Sequence, residues 1–259
     1  MRAIKSAAVT AALAIAVGFG AFGSEARAAG EAPEPPSQDW TFNGVFGTFD
    51  KAAAQRGLQV YMEVCSTCHS LDLVAYRNLA DLGFNEDEVK AIAARYVVTD
   101  GPDENGEMFE RPGLPADSFV GPFPNEQAAR AANGGALPPD LSLITKAREG
   151  GADYVYSFLL GFGEPPEDAT LLPGQYWNEY YPGHAVAMPD ILMEGGVEFA
   201  DGTPATVENQ AWAVTNFLAW AAQPELEERK QMGVKVVLFL IVFSGMMYAV
   251  KRKVWADLH

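Results

Sequence analysis

Residues 65–69 read Cys-Ser-Thr-Cys-His, and these two cysteines are the only ones in a chain of 259 residues. Two thiols separated by two residues, with a histidine directly after the second, form the attachment signature of c-type haem. Each thiol can add to one vinyl group of a single porphyrin, while the next imidazole reaches the iron as proximal ligand. A disulfide or thioredoxin-like pair would need neither His69 nor this order, and the sequence lacks the βαβ context of such a motif. A structural zinc site would need a fourth donor, and the other two histidines, His184 and His259, form no second pair.

Upstream of the motif, Phe49, Ala53, Leu58, Tyr61 and Val64 make a helical apolar stripe running into Cys65. Residues 32–39 (APEPPSQD) have no apolar face to bury and carry no predicted element, so order begins near Trp40. Downstream, a helix is expected over residues 86–96, and an irregular lobe rich in Gly, Pro and acidic residues over 100–124. Short helices are expected over 140–147 and 152–161, with Gly150 and Gly151 as the break, followed by a second irregular stretch over 163–189. Val207, Ala211, Val214, Phe217, Leu218 and Ala221 place a last helix over about 206–222, and Pro224 ends it. Residues 225–230 read as a charged link.

Both ends read as membrane-related. Arg2 and Lys5, an apolar run over 7–22 and Ala26-Arg27-Ala28 have the form of a secretory signal over residues 1–28, with the mature chain starting near Ala29. Residues 232–250 hold one charge, Lys235, and at 1.5 Å per residue reach roughly 28 Å, enough to cross a bilayer once. Lys251, Arg252 and Lys253 follow, which favours a cytoplasmic C-terminus and an exported 29–228 domain. The expected division is therefore signal 1–28, exported domain 29–228, and anchor with short tail 229–259.

The exported part holds 9 Lys or Arg against 32 Asp or Glu, a net charge of −23. Such a surface argues against nucleic acid and suits a basic partner drawn in by electrostatic steering. If His69 takes one axial position, the second ligand decides whether the iron carries electrons or binds a substrate. The downstream candidates are Met108, His184, Met188 and Met193. Met108 sits in the acidic loop beside Glu107 and Glu110. His184 follows a turn, Met193 falls in a possible helix, and Met188 ends the small-residue run 185–189 (AVAMP) at a proline.

The sequence closely resembles the cytochrome c1 family, the haem-bearing subunits of ubiquinol:cytochrome c oxidoreductase. The matching stretches include 56–61, 65–70, 74–77, 128–141 (AARAANGGALPPDL), 161–166, 180–188, 201–206 and 220–222. The resemblance implies a mainly α, cytochrome c-like haem domain with long inserted loops and one C-terminal transmembrane helix. It implies covalent haem c on Cys65 and Cys68, with His69 and Met188 as axial ligands. It also places Arg148 at a haem propionate, Tyr154 near it, and Pro138 and Pro139 in the lining of the haem pocket. A forked, always-charged guanidinium at residue 148 suits a partly buried carboxylate. The implied partners are cytochrome b, the Rieske iron–sulfur subunit and a basic or tethered cytochrome c acceptor. The implied location is a bacterial inner membrane, with the haem domain periplasmic and the chain serving as an electron carrier within an oxidoreductase. The alternatives are a c-type haem enzyme with an open distal site and a free-standing anchored electron shuttle. Some bacterial relatives staple a loop near the haem with an extra cysteine pair. This chain has none, so residues 163–182 must be ordered by packing.

Overall fold

Asp50 opens the first helix, its side chain accepting the Ala53 amide, and α1 then runs over Lys51–Glu63. This is the helix whose stripe leads into the cysteines, and it buries Ala53, Ala54, Gly57, Leu58, Val60 and Tyr61. In the computed structural model, which describes residues 32–258, α1 lies against the helix that the sequence places near residues 206–222. The signal read at residues 1–28 and His259 lie outside the described residues.

The remaining elements follow in order. A 3₁₀ turn spans Cys65–Thr67 and another spans Tyr76–Leu82. Helix α2 is Glu86–Ala93, with Asn85 and Glu88 forming a reciprocal cap. Strands β1 (Val97–Asp100) and β2 (Phe109–Pro112) pair antiparallel, Val97 opposite Pro112. Helix α3 is Glu126–Ala132, α4 is Gly151–Leu160, and a second small ladder joins β3 (Tyr176–Trp177) to β4 (Ala185–Val186). Helix α5 is Val207–Ala221 and α6 is Leu226–Val254. The fold is mainly helical, with the two expected irregular stretches carried as loops between short elements.

The core is the crossing of α1 and α5, sealed by aromatic rings. Tyr61 meets Phe217 at 5.8 Å and Phe119 edge-on at 5.9 Å, and Phe119 lies 4.4 Å from Tyr76. Trp40 stacks on Trp212 at 4.2 Å, and its Nε1–H donates to Asp153 at 2.6 Å; order reaches further back than Trp40, since the Gln38 amide bonds the same carboxylate at 2.9 Å. Gly57 sets the closeness of the crossing. A Cβ at that position would stand 2.0 Å from the Ala213 carbonyl oxygen and 2.6 Å from Phe217 Cβ. Glycine costs the helix about 1 kcal/mol relative to alanine, and backbone contact between the two helices is what offsets it. Gly57→Ala is therefore expected to force the helices apart and destabilise the domain by roughly 1–3 kcal/mol or more, read as a lower thermal midpoint.

Three sequence expectations are corrected. Residues 140–147 form consecutive turns, not a helix, because the Leu141 amide and the side chains of Asp140 and Ser142 are also tied to the 70–73 segment. The 100–124 lobe is not wholly irregular. Its hairpin is held by Arg111, which bonds Asp100 through Nε and Asp117 through both terminal nitrogens, a charge clamp with no apolar period to betray it. Residues 225–230 are not a link, since α6 is continuous from Leu226. Glu227 and Glu228 lie in its first turn and Lys251, Arg252 and Lys253 in its last, both favourable to the helix dipole. Its most apolar 18-residue window has a mean hydropathy of 2.1 and is 0% buried within the protein, as expected of a single membrane span.

Candidate functional site

The α1 helix stops at Glu63 and the chain tightens into the Cys65–Thr67 turn, where the amides of Cys68 and His69 both bond the Cys65 carbonyl, at 3.1 and 2.9 Å. This single turn brings both thiols and the imidazole into one local structure. Tyr61, one helical turn before Cys65, donates its hydroxyl to the His69 carbonyl at 3.2 Å.

His69 is 8% exposed, and its Nδ1 lies 2.7 Å from the Pro139 carbonyl oxygen. A carbonyl only accepts, so Nδ1 must carry the proton and Nε2 is left with its lone pair. Burial pushes the imidazole below its ordinary value, only partly opposed by Pro139 and Asp140, and so keeps it neutral. A neutral imidazole oriented through Nδ1 is the form in which histidine binds a metal. The Cys65 thiol is buried, and burial pushes it up to about 12. That disfavours the thiolate required for zinc binding or disulfide exchange. A thioether has no proton to lose, so the same burial costs it nothing. Among the described residues no three His, Cys, Asp or Glu side chains converge on a point. The donor set therefore fits a porphyrin-held iron better than a bare ion.

A loop is stitched over this turn by residues 139–142. Asp140 Oδ2 accepts the Ser70 hydroxyl at 2.7 Å and the Asp72 amide at 2.8 Å, while Oδ1 accepts the Ser142 amide at 2.8 Å. The Leu141 amide bonds the Ser70 carbonyl at 2.9 Å, and the Ser142 hydroxyl accepts the Leu73 amide at 3.1 Å. Burial raises the Asp140 carboxyl, but the hydrogen bonds from Ser142, Asp72 and Ser70 outweigh it and leave it below the usual range. Pro138 is half-buried and Pro139 is exposed. Pro139 thus contributes its carbonyl to His69, a role that residue type does not announce. Asp140 and Ser142 were missed as site residues because PPDLS also reads as a helix start.

Arg148 and Tyr154 are neighbours. Arg148 is exposed and donates to its own Ala147 carbonyl. Burial raises the Tyr154 hydroxyl and the adjacent guanidinium opposes the rise. Tyr154 stacks on Phe158 at 6.0 Å, and Phe158 touches Tyr181 at 6.2 Å and Phe162 at 5.4 Å. These rings join α4 to the segment that carries Met188.

That segment is ordered without a disulfide. Asn178, fully buried, donates Nδ2–H to the Phe158 carbonyl at 2.7 Å and accepts the Tyr180 and Tyr181 amides at 3.0 and 3.2 Å. The Glu179 amide bonds Gly161 at 2.8 Å, and β3 pairs with β4. Met188, two residues beyond β4, is half-buried. The other candidate ligands are placed differently. Met108 and Met193 are 59% and 68% exposed. His184 sits at φ 59°, its ring stacked 4.5 Å from Trp177 and its Nδ1 bonded to the Asn178 carbonyl at 3.1 Å, so it serves the hairpin.

A two-thiol, one-imidazole turn at the end of a core helix, in a mainly helical domain carried on one apolar helix, defines the class of membrane-anchored c-type cytochromes. Residues 40–258 match the family described as Cytochrome C1 family, and the chain belongs to that family. It is similar to "Cytochrome b/c1" of Bradyrhizobium diazoefficiens, 49% identical over all of this chain, which spans 41% of that longer protein. It is similar to "Cytochrome c1, heme protein, mitochondrial" of Saccharomyces cerevisiae, 50% identical over 86% of this chain and 72% of the yeast one. "Cytochrome b-c1 complex catalytic subunit, mitochondrial" of Candida albicans is 48% identical over 86% of this chain and 78% of its own.

Proposed function

We propose that this chain is the electron-transfer subunit of a cytochrome bc1 complex and carries one covalent haem c. The haem would be bound through Cys65 and Cys68, with His69 Nε2 and the Met188 sulfur as axial donors. The observation that carries the reading is the His69 ring, buried directly after two thiols, with Nδ1 bonded to Pro139 and Nε2 without a bond among the described residues. When bound, haem c supplies a one-electron centre that the Rieske iron–sulfur protein would reduce and a cytochrome c would oxidise. The task of the protein residues is to hold both axial donors, limit water around them, and leave one edge open to partners in turn. Arg148 and Tyr154, side by side at the start of α4, suit a propionate. Methionine ligation raises the potential relative to two histidines, which suits a late step.

The signal over residues 1–28 would be removed, placing the 29–228 domain on the periplasmic side of a bacterial inner membrane and the basic tail in the cytoplasm. Cytochrome b would lie beside the anchor. Mass analysis of the mature protein tests the reading, since a haem-sized addition on a peptide containing Cys65 and Cys68 is expected and its absence overturns it. An enzyme with an open distal site would bind carbon monoxide readily after reduction, and a six-coordinate carrier resists it. A free-standing shuttle would leave detergent extraction alone, whereas a subunit co-purifies with b-type haem and an iron–sulfur protein.

The exposed carboxylates of Asp103, Glu104, Glu107, Glu164, Glu167 and Asp168 supply a docking field for a basic cytochrome c. Reduction of such a partner is expected to slow on the order of tenfold between low and physiological ionic strength, in a stopped-flow salt series. A flat series would remove that role from the acidic loops.

A further inference from the structure

Residues 41–48 (TFNGVFGT) form a closed loop beside the start of α6. The Thr48 amide bonds the Thr41 carbonyl at 3.0 Å. Gly47 packs so tightly inside the loop that a Cβ there would fall 1.9 Å from the Asn43 carbonyl oxygen, so the chain path is imposed by backbone contact. At the tip stand Val45, 64% exposed, and Phe46, 83% exposed. No core slot waits for them. The base of the loop already fills the interior with Phe42, which stacks on Trp40 at 5.5 Å and meets Phe49 at 5.3 Å.

The place of this tip gives it meaning. Lys230 donates to the Phe42 carbonyl at 2.6 Å and to the Gly47 carbonyl at 3.0 Å, and Glu227 accepts the Phe49 amide at 2.8 Å. Both ends of the loop are therefore bonded to the first two turns of α6. Lys230 precedes the apolar span at residue 232 by two positions, about 3 Å along the helix axis. The loop also carries no charged residue, although the 29–228 stretch around it holds a net charge of −23. Two unshielded apolar side chains, a loop without charge and attachment to the point where the anchor leaves the protein share one physical consequence.

We propose that the Val45–Phe46 tip inserts into the acyl–headgroup boundary of the lipid leaflet facing the haem domain, as a second, monotopic contact beside the transmembrane helix. It rests on α6 being the membrane anchor. Burying a phenylalanine and a valine at that boundary resists tilting of the domain about the helix, which one span alone does not.

The test uses the intact complex in phosphatidylcholine vesicles, spin-labelled through Phe46→Cys, with the background of the unsubstituted complex subtracted. Microwave power saturation compares accessibility to oxygen, which concentrates in lipid, with accessibility to a water-soluble nickel chelate. Labels introduced by Val237→Cys in the span and Met108→Cys on the acidic loop are the references. The expected result is an oxygen-to-nickel ratio at residue 46 several-fold above that at residue 108 and approaching that at residue 237. A ratio equal to that at residue 108 overturns the proposal in favour of an aqueous tip. Shielding from both reagents overturns it in favour of a neighbouring protein. A watery reading at residue 237 would instead remove the anchor itself. Val45→Cys repeats the measurement at the adjacent exposed position should the first variant assemble poorly.

Discussion

Replacing Met188 by leucine is expected to lower the midpoint potential of the haem by on the order of 100 mV or more, within the range of about 0.8 V that axial ligation commands. Leucine is close to methionine in volume, so the half-buried strap beyond β4 keeps its packing while losing its only sulfur. If Met188 and His69 are the two donors, the variant would leave His69 alone on the iron, and carbon monoxide would gain access after reduction. Redox titration of the purified complex with a carbon monoxide difference spectrum checks both. An unchanged potential would move the sixth ligand to another residue, and His184 would be next despite its bond to Asn178.

Asn178→Ala is expected to act at the same place without touching the ligand. Its amide group satisfies Phe158, Tyr180 and Tyr181 from a fully buried position, and removing it strands three backbone groups. A loss of roughly 2–4 kcal/mol follows, at about 1–3 kcal/mol for each buried group left unpaired, reduced by relaxation and water. The loosened hairpin would also release Met188 in part, producing a carbon monoxide-reactive fraction and a lowered potential at temperatures where the domain stays folded. Asn178→Asp retains the acceptor oxygen and should recover part of both effects. A lower melting temperature with an unshifted potential would limit Asn178 to packing.

The parts of this molecule that sequence made legible are those with a period or a fixed spacing. The α1 stripe from Ala53 to Tyr61, the α5 face from Val207 to Ala221 and the apolar residues of α6 each bury or expose a whole face; α1 and α5 stand where expected, and the expected 232–250 span lies inside the longer α6. The Cys65–His69 turn is legible because its chemistry needs that order of residues. Residues 140–147 misled because Asp140 and Ser142 bond a backbone segment some seventy residues away as well as their own, and nothing local distinguishes that from the start of a helix. The two-residue strands β3 and β4 are too short to show an alternation, and they depend on Asn178, whose partners lie up to twenty residues away. Pro139 serves through its carbonyl oxygen, a group every residue possesses. The start of α6 was hidden because its charged first turns resemble a tether, whereas Leu226 is buried and Glu227 and Lys230 are bonded to the 41–49 segment.

That unbroken helix leaves no hinge between the membrane and the folded head. With its first two turns built into the body of the domain and the apolar 232–250 stretch following without a break, the folded head and the anchor turn and tilt as one piece. Lengthening the 222–226 junction with flexible residues would uncouple the two before it touched the site.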